Sequence, residues 1–191
     1  IADEVQTGVG RTGAHFFGFM EHDMVPDMVV MAKGIGNGFP LSVVIVRREI
    51  AEAMTSRVFM STMGSNPTTS AAGRGVLAAL EHQGLQENAR VVGEHAIGLF
   101  RELQNRYEVV GDVRGRGLMI GMELVKDPST KAPARALCDA LLTRAYHQGL
   151  LLLACGQSTV RFIPPLMVGR AHVDEALRLL EAALKEALAL S

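Results

Sequence analysis

The segment from Met28 to Pro40 constrains the fold more than any other part of the chain. It begins with four large apolar residues, Met28–Met31, and runs through Ala32 and Lys33 into a glycine-rich stretch. An apolar run of this length predicts a strand that is buried on both faces, as in a parallel sheet. The glycines predict that the strand ends near Lys33. Lys33 is therefore expected at the carboxyl end of a strand, where open α/β sheets place their ligand sites.

A lysine at the end of a buried strand has two interpretations. Apolar surroundings favour its neutral amine, which can form a Schiff base with a carbonyl compound. Alternatively, the alkyl chain lies along the surface and the ammonium group stays in water. This segment alone leaves both interpretations open.

Composition narrows the class of protein. The chain has 191 residues, of which 48% are hydrophobic, enough to bury a sizeable core. Its formal net charge is -1, with lysine and arginine scattered, so nothing suggests a nucleic-acid partner or an anionic membrane surface. No apolar run reaches the roughly 20 residues that span a bilayer. Cys138 and Cys155 lie in apolar segments without metal-ligand spacing, which predicts buried thiols in a reducing compartment such as the cytoplasm.

The order of predicted elements divides the chain at Gln83 and Gly84. Before this point, strands near residues 1–2, 28–31 and 42–46 and a helix over 47–54 indicate βαβ-type units. A second helix is expected to start at Asn66 and Pro67, with asparagine as the N-cap. After Gly84, helices alternate with strands; the predicted helices cover 85–107, 134–147 and 172–190, and the predicted strands cover 109–113, 118–125, 150–154 and 159–163. We expect an α/β domain over residues 1–83 and a small α+β domain over residues 84–191.

Four motifs, in order, carry a family resemblance. They are D-E-V-Q-T-G-V-G-R-T-G at 3–13, A-K-G with G-F-P-L at 32–41, T-M-G-S-N-P at 62–67 and V-R-F-I-P-P-L at 160–166. Together they resemble class III, or omega, pyridoxal-phosphate-dependent aminotransferases, in particular the carboxyl-terminal half of a 4-aminobutyrate aminotransferase-like enzyme. The resemblance implies fold type I, with residues 1–83 forming the end of the cofactor-binding large domain. It also implies that this chain, which opens on Ile1 without a methionine, is a fragment lacking the phosphate turn and the ring cover.

The resemblance implies a role for five residues around pyridoxal 5'-phosphate. Lys33 carries the Schiff base and moves the proton, and Asp3 keeps the pyridine nitrogen protonated. Val5 packs on the ring, and Gln6 bonds its phenolic oxygen. Thr62 binds the phosphate of the neighbouring subunit's cofactor, which implies a homodimer with a shared site. Taken alone, the same residues are also typical of structural roles: Asp3 of a turn carboxylate, Val5 of a core residue and Thr62 of a turn hydroxyl.

Arg161 stands alone in an apolar strand. A buried guanidinium group is costly unless it is paired, so an internal or a bound carboxylate is expected beside it. The resemblance implies that this carboxylate belongs to the substrate. The six histidines show no metal-ligand spacing, and no metal is expected.

The resemblance implies transfer of an amino group from an omega-amino acid such as 4-aminobutyrate to a 2-oxo acid such as 2-oxoglutarate. Three alternatives remain open. The substrate is acetylornithine, ornithine or a diamine; the reaction is that of a racemase or decarboxylase of the same family; or the chain is a non-catalytic folding or dimerisation module.

Overall fold

The computed structural model describes residues 1–57, 61–62, 64 and 66–189. The chain divides into two compact units, Ile1–Glu87 and Asn88–Ser191. The division falls in the first turn of a helix that begins at Leu85, just after Gly84, whose φ is 61°. Each unit has its own sheet and its own apolar core.

Within the described residues of the first unit, the sheet has three strands, β1 (Ala2–Asp3), β2 (Met28–Met31) and β3 (Val43–Val46), in that order. Strand β2 is parallel to β1 and antiparallel to β3. The prediction of βαβ-type units is wrong for β2 and β3. Residues 32–42 between them contain only a short 3-10 turn, whereas a parallel crossover needs a dozen or more residues and usually a helix.

Strand β2 is buried on one face only, so the prediction of burial on both faces is wrong. Val29 and Met31 are buried, whereas Met28 and Val30 are half-buried. Val29 and Met31 form a small apolar core with Val9 and Ile35. Ile35 belongs to the turn that follows β2, so this core includes part of that turn.

Two helices complete the first unit, α1 (Arg48–Ala53) and α2 (Pro67–His82). The predicted N-cap of α2 is confirmed, because Asn66 Oδ1 accepts hydrogen bonds from the N–H groups of Thr68 and Thr69 at 2.9 and 3.3 Å. A 3-10 turn also lies at Gly18–His22.

As far as residue 189, where its described part ends, the second unit has an antiparallel sheet and three helices. Its strands are β4 (Val110–Arg116), β5 (Met119–Leu124), β6 (Leu153–Cys155) and β7 (Thr159–Phe162), in the order β4-β5-β7-β6. Its helices are α3 (Leu85–Arg106), α4 (Arg135–His147) and α5 (Arg170–Leu188). Strand β4 ends at Arg116, three residues beyond the predicted end of this strand at position 113. The hairpin turns at Gly117, whose φ of 52° suits a tight reversal.

The sheet of the second unit buries one face. Ile120, Met122 and Leu124 alternate with half-buried residues along β5 and share one core with the helices. The ring of Phe162 lies 5.5 Å from that of Phe100 in α3. Because successive side chains of a strand point to opposite faces, Arg161 lies on the face away from this core. An antiparallel sheet with helices on one face is the α+β arrangement predicted for this part of the chain.

The two cysteines differ in exposure. Cys138 is buried in α4 as predicted, and burial raises the pKa of its thiol to about 11. The prediction for Cys155 is wrong, because it lies exposed at the end of edge strand β6. Within the described residues, no helix combines the length and apolar character that a bilayer crossing requires.

Candidate active site

Asp3 and Lys33 follow neighbouring parallel strands. Asp3 ends β1 and lies in register with Val30 of β2, and the N–H of Glu4 continues the pairing by donating to Val30 O at 2.9 Å. Parallel strands have their carboxyl ends at the same edge of the sheet. The acid and the lysine predicted to share a ligand therefore both lie at this edge.

The turn that carries Lys33 has a restrictive backbone. Lys33 has a φ of 48°, in the left-handed region that a side chain with a Cβ rarely adopts. Its carbonyl oxygen accepts hydrogen bonds from the N–H groups of Gly36 and Asn37, both at 3.1 Å. Gly36 is required here, since a Cβ on it would lie 2.2 Å from the carbonyl oxygen of Phe39. Such backbone strain clusters at functional sites, and the exposed lysine side chain is available to a ligand.

The first motif places three predicted site residues next to one another. Asp3 is exposed, and its Oδ1 accepts a hydrogen bond from the N–H of Val5 at 3.1 Å. Val5 is half-buried, and Gln6 is exposed. An exposed carboxylate, an apolar side chain and an amide thus occupy the loop at the sheet edge.

Glu4 is the buried acid of this motif, with only 3% of its surface exposed. Its Oε2 accepts hydrogen bonds from the Thr7 hydroxyl at 2.7 Å and the Gly18 N–H at 2.8 Å. Its Oε1 accepts one from the Phe19 N–H at 2.8 Å. The carboxylate therefore ties together the two ends of the loop from Thr7 to Phe19.

Val9 lies near the start of that loop and shares a buried apolar core with Ile35 of the lysine turn. It is buried and has a φ of 61°, which is unusual for a β-branched residue. A Cβ placed on Gly34 would lie 3.7 Å from the Val9 Cβ, an ordinary van der Waals distance. The loop after Asp3 and the turn at Lys33 are thus packed beside each other in one core.

Sequence patterns do not single out Glu4 or Val9. A glutamate that follows a strand is usually predicted to be exposed to solvent, and a valine between glycines is usually predicted to be an ordinary core residue. The available signal is the pair of glycines at positions 8 and 10, which predicts a turn but not the left-handed backbone of the residue between them.

Thr62 lies exposed in a turn shortly before α2. Met63 and Ser65, its neighbours in the third motif, lie outside the described residues. The amino-terminal N–H groups of α2 at Thr68 and Thr69 already have Asn66 as their partner. The predicted phosphate contact therefore rests on the Thr62 hydroxyl.

Arg161 belongs to the second unit. It is half-buried rather than buried, because it lies on the opposite face of β7 from Val160 and Phe162. Its neighbours in register are Gly121 of β5 and Leu153 of β6. Arg161 also lines a cavity of about 310 Å³ whose walls come mainly from apolar residues of the segments 150–153 and 162–168. An arginine at an apolar cavity suits a ligand that combines a carboxylate with an alkyl chain.

Two other arginines, Arg114 and Arg11, have guanidinium groups whose pKa is shifted by their surroundings. Arg114 donates hydrogen bonds to Asp112 and Glu123, each at 2.6 Å, and these bonds raise the pKa of its guanidinium group. Burial lowers the pKa of Arg11, in the loop after Asp3. Among the residues with described positions, no group of three His, Cys, Asp or Glu side chains has an arrangement suited to a metal ion.

The known proteins that this chain resembles in sequence are aminotransferases. The family model for class III aminotransferases matches residues 1–184. Alanine–glyoxylate aminotransferase 2, mitochondrial, from Homo sapiens is 42% identical over 97% of this chain and 37% of its own length. The 5-aminovalerate aminotransferase DavT from Pseudomonas aeruginosa is 39% identical over 94% of this chain and 42% of its own length. The chain therefore spans about two fifths of the curated relatives it matches.

The fold comparison agrees with the sequence comparison. A thermostable (S)-enantioselective omega-transaminase from Thermomicrobium roseum superposes with a TM-score of 0.87 at 36% identity, over 97% of this chain and 43% of that structure. The predicted fold class is confirmed: the chain has the α/β fold of part of a fold-type I transaminase, with a small α+β carboxyl-terminal portion. The chain belongs to the class III aminotransferases, a family that uses pyridoxal phosphate as its cofactor.

Proposed function

We propose that the protein carrying this chain transfers an amino group from an omega-amino acid, such as 4-aminobutyrate, to a 2-oxo acid such as 2-oxoglutarate. The observation that carries the proposal is the register of β1 with β2, which brings Asp3 and Lys33 to one edge of the sheet. A pyridoxal-phosphate enzyme needs an amine for the aldehyde and an acid for the ring nitrogen at a common site.

The residues at this edge fit the cofactor. Lys33 offers an exposed amine on a turn whose backbone is fixed by hydrogen bonds. Asp3 offers an exposed carboxylate whose Oδ1 is oriented by the Val5 N–H. Val5 supplies an apolar surface for a ring, and Gln6 supplies an amide for its phenolic oxygen. This set of donors and acceptors matches what an aromatic aldehyde with a basic nitrogen requires.

When bound, pyridoxal phosphate supplies an electron sink for the carbon that bears the amino group. Asp3 supports this chemistry by keeping a proton on the ring nitrogen, since an ionised carboxylate favours the charged partner. Lys33 would hold the cofactor through its amine and would move the proton as a general base and acid. In this proposal Thr62 donates its hydroxyl to the phosphate of a second subunit's cofactor, so the active form is a homodimer.

Arg161 binds the carboxylate of the substrate in this proposal. A planar guanidinium fork matches a carboxylate with two parallel hydrogen bonds. The apolar cavity beside Arg161 suits the methylene chain between the carboxylate and the amine of an omega-amino acid. DavT, whose name gives 5-aminovalerate as its substrate, supports an omega-amino donor.

The experiment is a coupled assay for glutamate formed from 4-aminobutyrate and 2-oxoglutarate in the presence of pyridoxal phosphate. We expect glutamate formation with 4-aminobutyrate or 5-aminovalerate and its loss in Lys33→Ala. Turnover of acetylornithine with none of the omega-amino acids would overturn the choice of donor.

A second candidate is a non-catalytic folding or dimerisation module. A visible absorption band on addition of pyridoxal phosphate, abolished by Lys33→Ala, distinguishes cofactor binding from the module.

We also propose the cytoplasm as the compartment, because Cys138 and Cys155 are both unpaired thiols.

A further inference from the structure

The carboxylate of Glu4 is buried although its three hydrogen-bond donors are all neutral groups. Burying a carboxylate is costly, and the cost is offset only if its oxygens have partners with good geometry. The three bonds are 2.7 to 2.8 Å long. The donors of these bonds, at Thr7, Gly18 and Phe19, are consequently fixed relative to the end of β1.

The loop is also packed closely onto Glu4. A Cβ on Gly8 would lie 2.8 Å from the carbonyl oxygen of Glu4, and one on Gly18 would lie 2.9 Å from the Thr7 Cβ. The N–H of Gly8 donates to the same Glu4 carbonyl oxygen at 3.1 Å. Both the backbone and the side chain of Glu4 therefore determine the path of the loop.

The loop imposes an unfavourable backbone on Val9. A left-handed conformation costs a residue with a Cβ about 1–2 kcal/mol, so its surroundings must enforce it. Hydrogen bonds on both sides of Val9 provide this constraint. Before it, the Gly8 N–H donates to Glu4 O, and after it, the Gly10 N–H donates to Phe16 O at 3.1 Å. Held in this way, the Val9 side chain shares a buried core with Ile35 of the turn and lies where a Cβ on Gly34, next to Lys33, would meet it at 3.7 Å.

We propose that Glu4 is a positioning residue, whose buried carboxylate closes the loop from Thr7 to Phe19 and, through Val9, holds the turn that carries Lys33. The Glu4 backbone N–H, which the side chain does not change, extends the pairing of β1 with β2 beyond Asp3, so the loop that the carboxylate closes starts next to that acid. Glu4 thus sets the relative position of the acid and the amine without touching the cofactor. The catalytic consequence rests on the function proposed above, whereas the effect on the Lys33 backbone does not.

Two variants and one control test this role in the full 191-residue chain. Glu4→Gln keeps the shape of the side chain but replaces one acceptor oxygen with a donor, so at least one of the two backbone N–H groups loses its partner. Thr7→Val removes only the hydroxyl donor and keeps a β-branched side chain. Glu49→Gln makes the same chemical change at an exposed position of α1 and serves as the matched control.

Nuclear magnetic resonance of the chain without cofactor gives the first readout. In Glu4→Gln we expect amide exchange at Gly18 or Phe19 to rise about tenfold or more, because a buried donor left unsatisfied is strongly unfavourable. We also expect the φ-dependent couplings of Val9 and Lys33 to move away from left-handed values. Thr7→Val is expected to change them in the same direction by less, and Glu49→Gln to leave them unchanged.

The pH midpoint of the visible band formed with pyridoxal phosphate gives the second readout. A repositioned amine changes this midpoint in the folded molecules, whereas a loss of stability alone lowers the amplitude of the band and leaves the midpoint in place. We expect a shifted midpoint in Glu4→Gln and a smaller shift in Thr7→Val.

Unchanged Lys33 couplings and an unchanged midpoint in Glu4→Gln, despite faster exchange at Gly18 or Phe19, would overturn the proposal. If Glu4→Gln does not fold, the same comparison is made with Thr7→Val, and wild-type couplings at Val9 and Lys33 would then be the contradicting result. If the wild-type chain forms no band, the proposed function fails for this chain, and the couplings alone decide the role of Glu4.

Discussion

Asp3 lies in register with Val30 across the parallel strands β1 and β2, and the turn that carries Lys33 begins just after β2 ends. This relationship brings an acid from one motif and an amine from another to the same edge of a sheet. It depends on the pairing of backbones and is independent of side-chain rotamers. Changes to Asp3 and Lys33 should therefore alter chemistry far more than they alter folding.

Asp3→Asn tests the role of the acid. Asparagine retains an oxygen for the Val5 N–H but lacks the negative charge that keeps a ring nitrogen protonated. We expect kcat to fall about a hundredfold or more, a size typical of removing a group that controls a proton. The unfolding midpoint should change little, because Asp3 is exposed.

The control for this variant is Asp23→Asn, at an exposed position with a left-handed backbone that asparagine tolerates. Steady-state kinetics and thermal unfolding measure both variants. Wild-type kcat in Asp3→Asn would show that the acid has no part in the reaction.

Two glycines of α3 provide a matched pair for the second unit. A Cβ on Gly93 would lie 2.3 Å from the carbonyl group of Gly117 in the hairpin between β4 and β5, whereas a Cβ on Gly98 meets nothing within 4 Å. We expect Gly93→Ala to reduce the free energy of unfolding by about 1–3 kcal/mol or more through overpacking. Gly98→Ala should increase it by about 0.5–1 kcal/mol, because alanine is the better helix former.

Urea unfolding of both glycine variants checks this expectation. Equal effects at the two positions would mean that α3 does not approach the hairpin as closely as the structure indicates.

Glu181 makes the second unit sensitive to acid. Burial raises the pKa of its carboxyl group, but hydrogen bonds from Lys185, Tyr107 and Arg106 outweigh it and lower the pKa from 4.5 to about 2. The donor atoms lie 3.0, 2.8 and 2.6 Å from Oε1. Because the folded-state pKa lies below the unfolded value, the stabilisation is present above about pH 4.5. It is lost as the pH falls from there towards 2.

We expect Glu181→Gln to lower the free energy of unfolding by about 1–3 kcal/mol at pH 7, given that Arg106 and Lys185 are partly screened by solvent. The difference from wild type should be smaller at pH 3. Glu102→Gln, at an exposed position of α3, is the control and should have little effect at either pH. A difference that is the same at pH 7 and pH 3 would rule out the proposed titration of Glu181.

Elements with a strong local pattern could be predicted from the sequence. The apolar periodicity of α3 predicts a buried face of Ala89, Val92, Ala96, Leu99, Phe100 and Leu103; five of these six are buried, and Leu99 is half-buried. The Asn66 cap and the strand at Met28–Met31 are likewise present, since capping and hydrophobic runs act over a few residues.

Features set by distant contacts could not be predicted in the same way. The antiparallel direction of β3 depends on the short connection from β2, and β-branched runs look alike in either direction. The exposure of Cys155 follows from the edge position of β6, which is a property of the sheet order. The left-handed backbone of Val9 and Lys33 opposes the preference of both residue types, so it arises from the loop and the turn that surround them.

The most direct test of the central claim maps where pyridoxal phosphate attaches. Borohydride reduction of the protein with pyridoxal phosphate, followed by peptide mass spectrometry, identifies the modified lysine. We predict one pyridoxyl group on Lys33, its loss in Lys33→Ala, and its retention in Lys126→Ala, which changes an exposed lysine of the second unit. A pyridoxyl group distributed over several lysines, or located elsewhere with Lys33 unmodified in folded protein, would contradict the account.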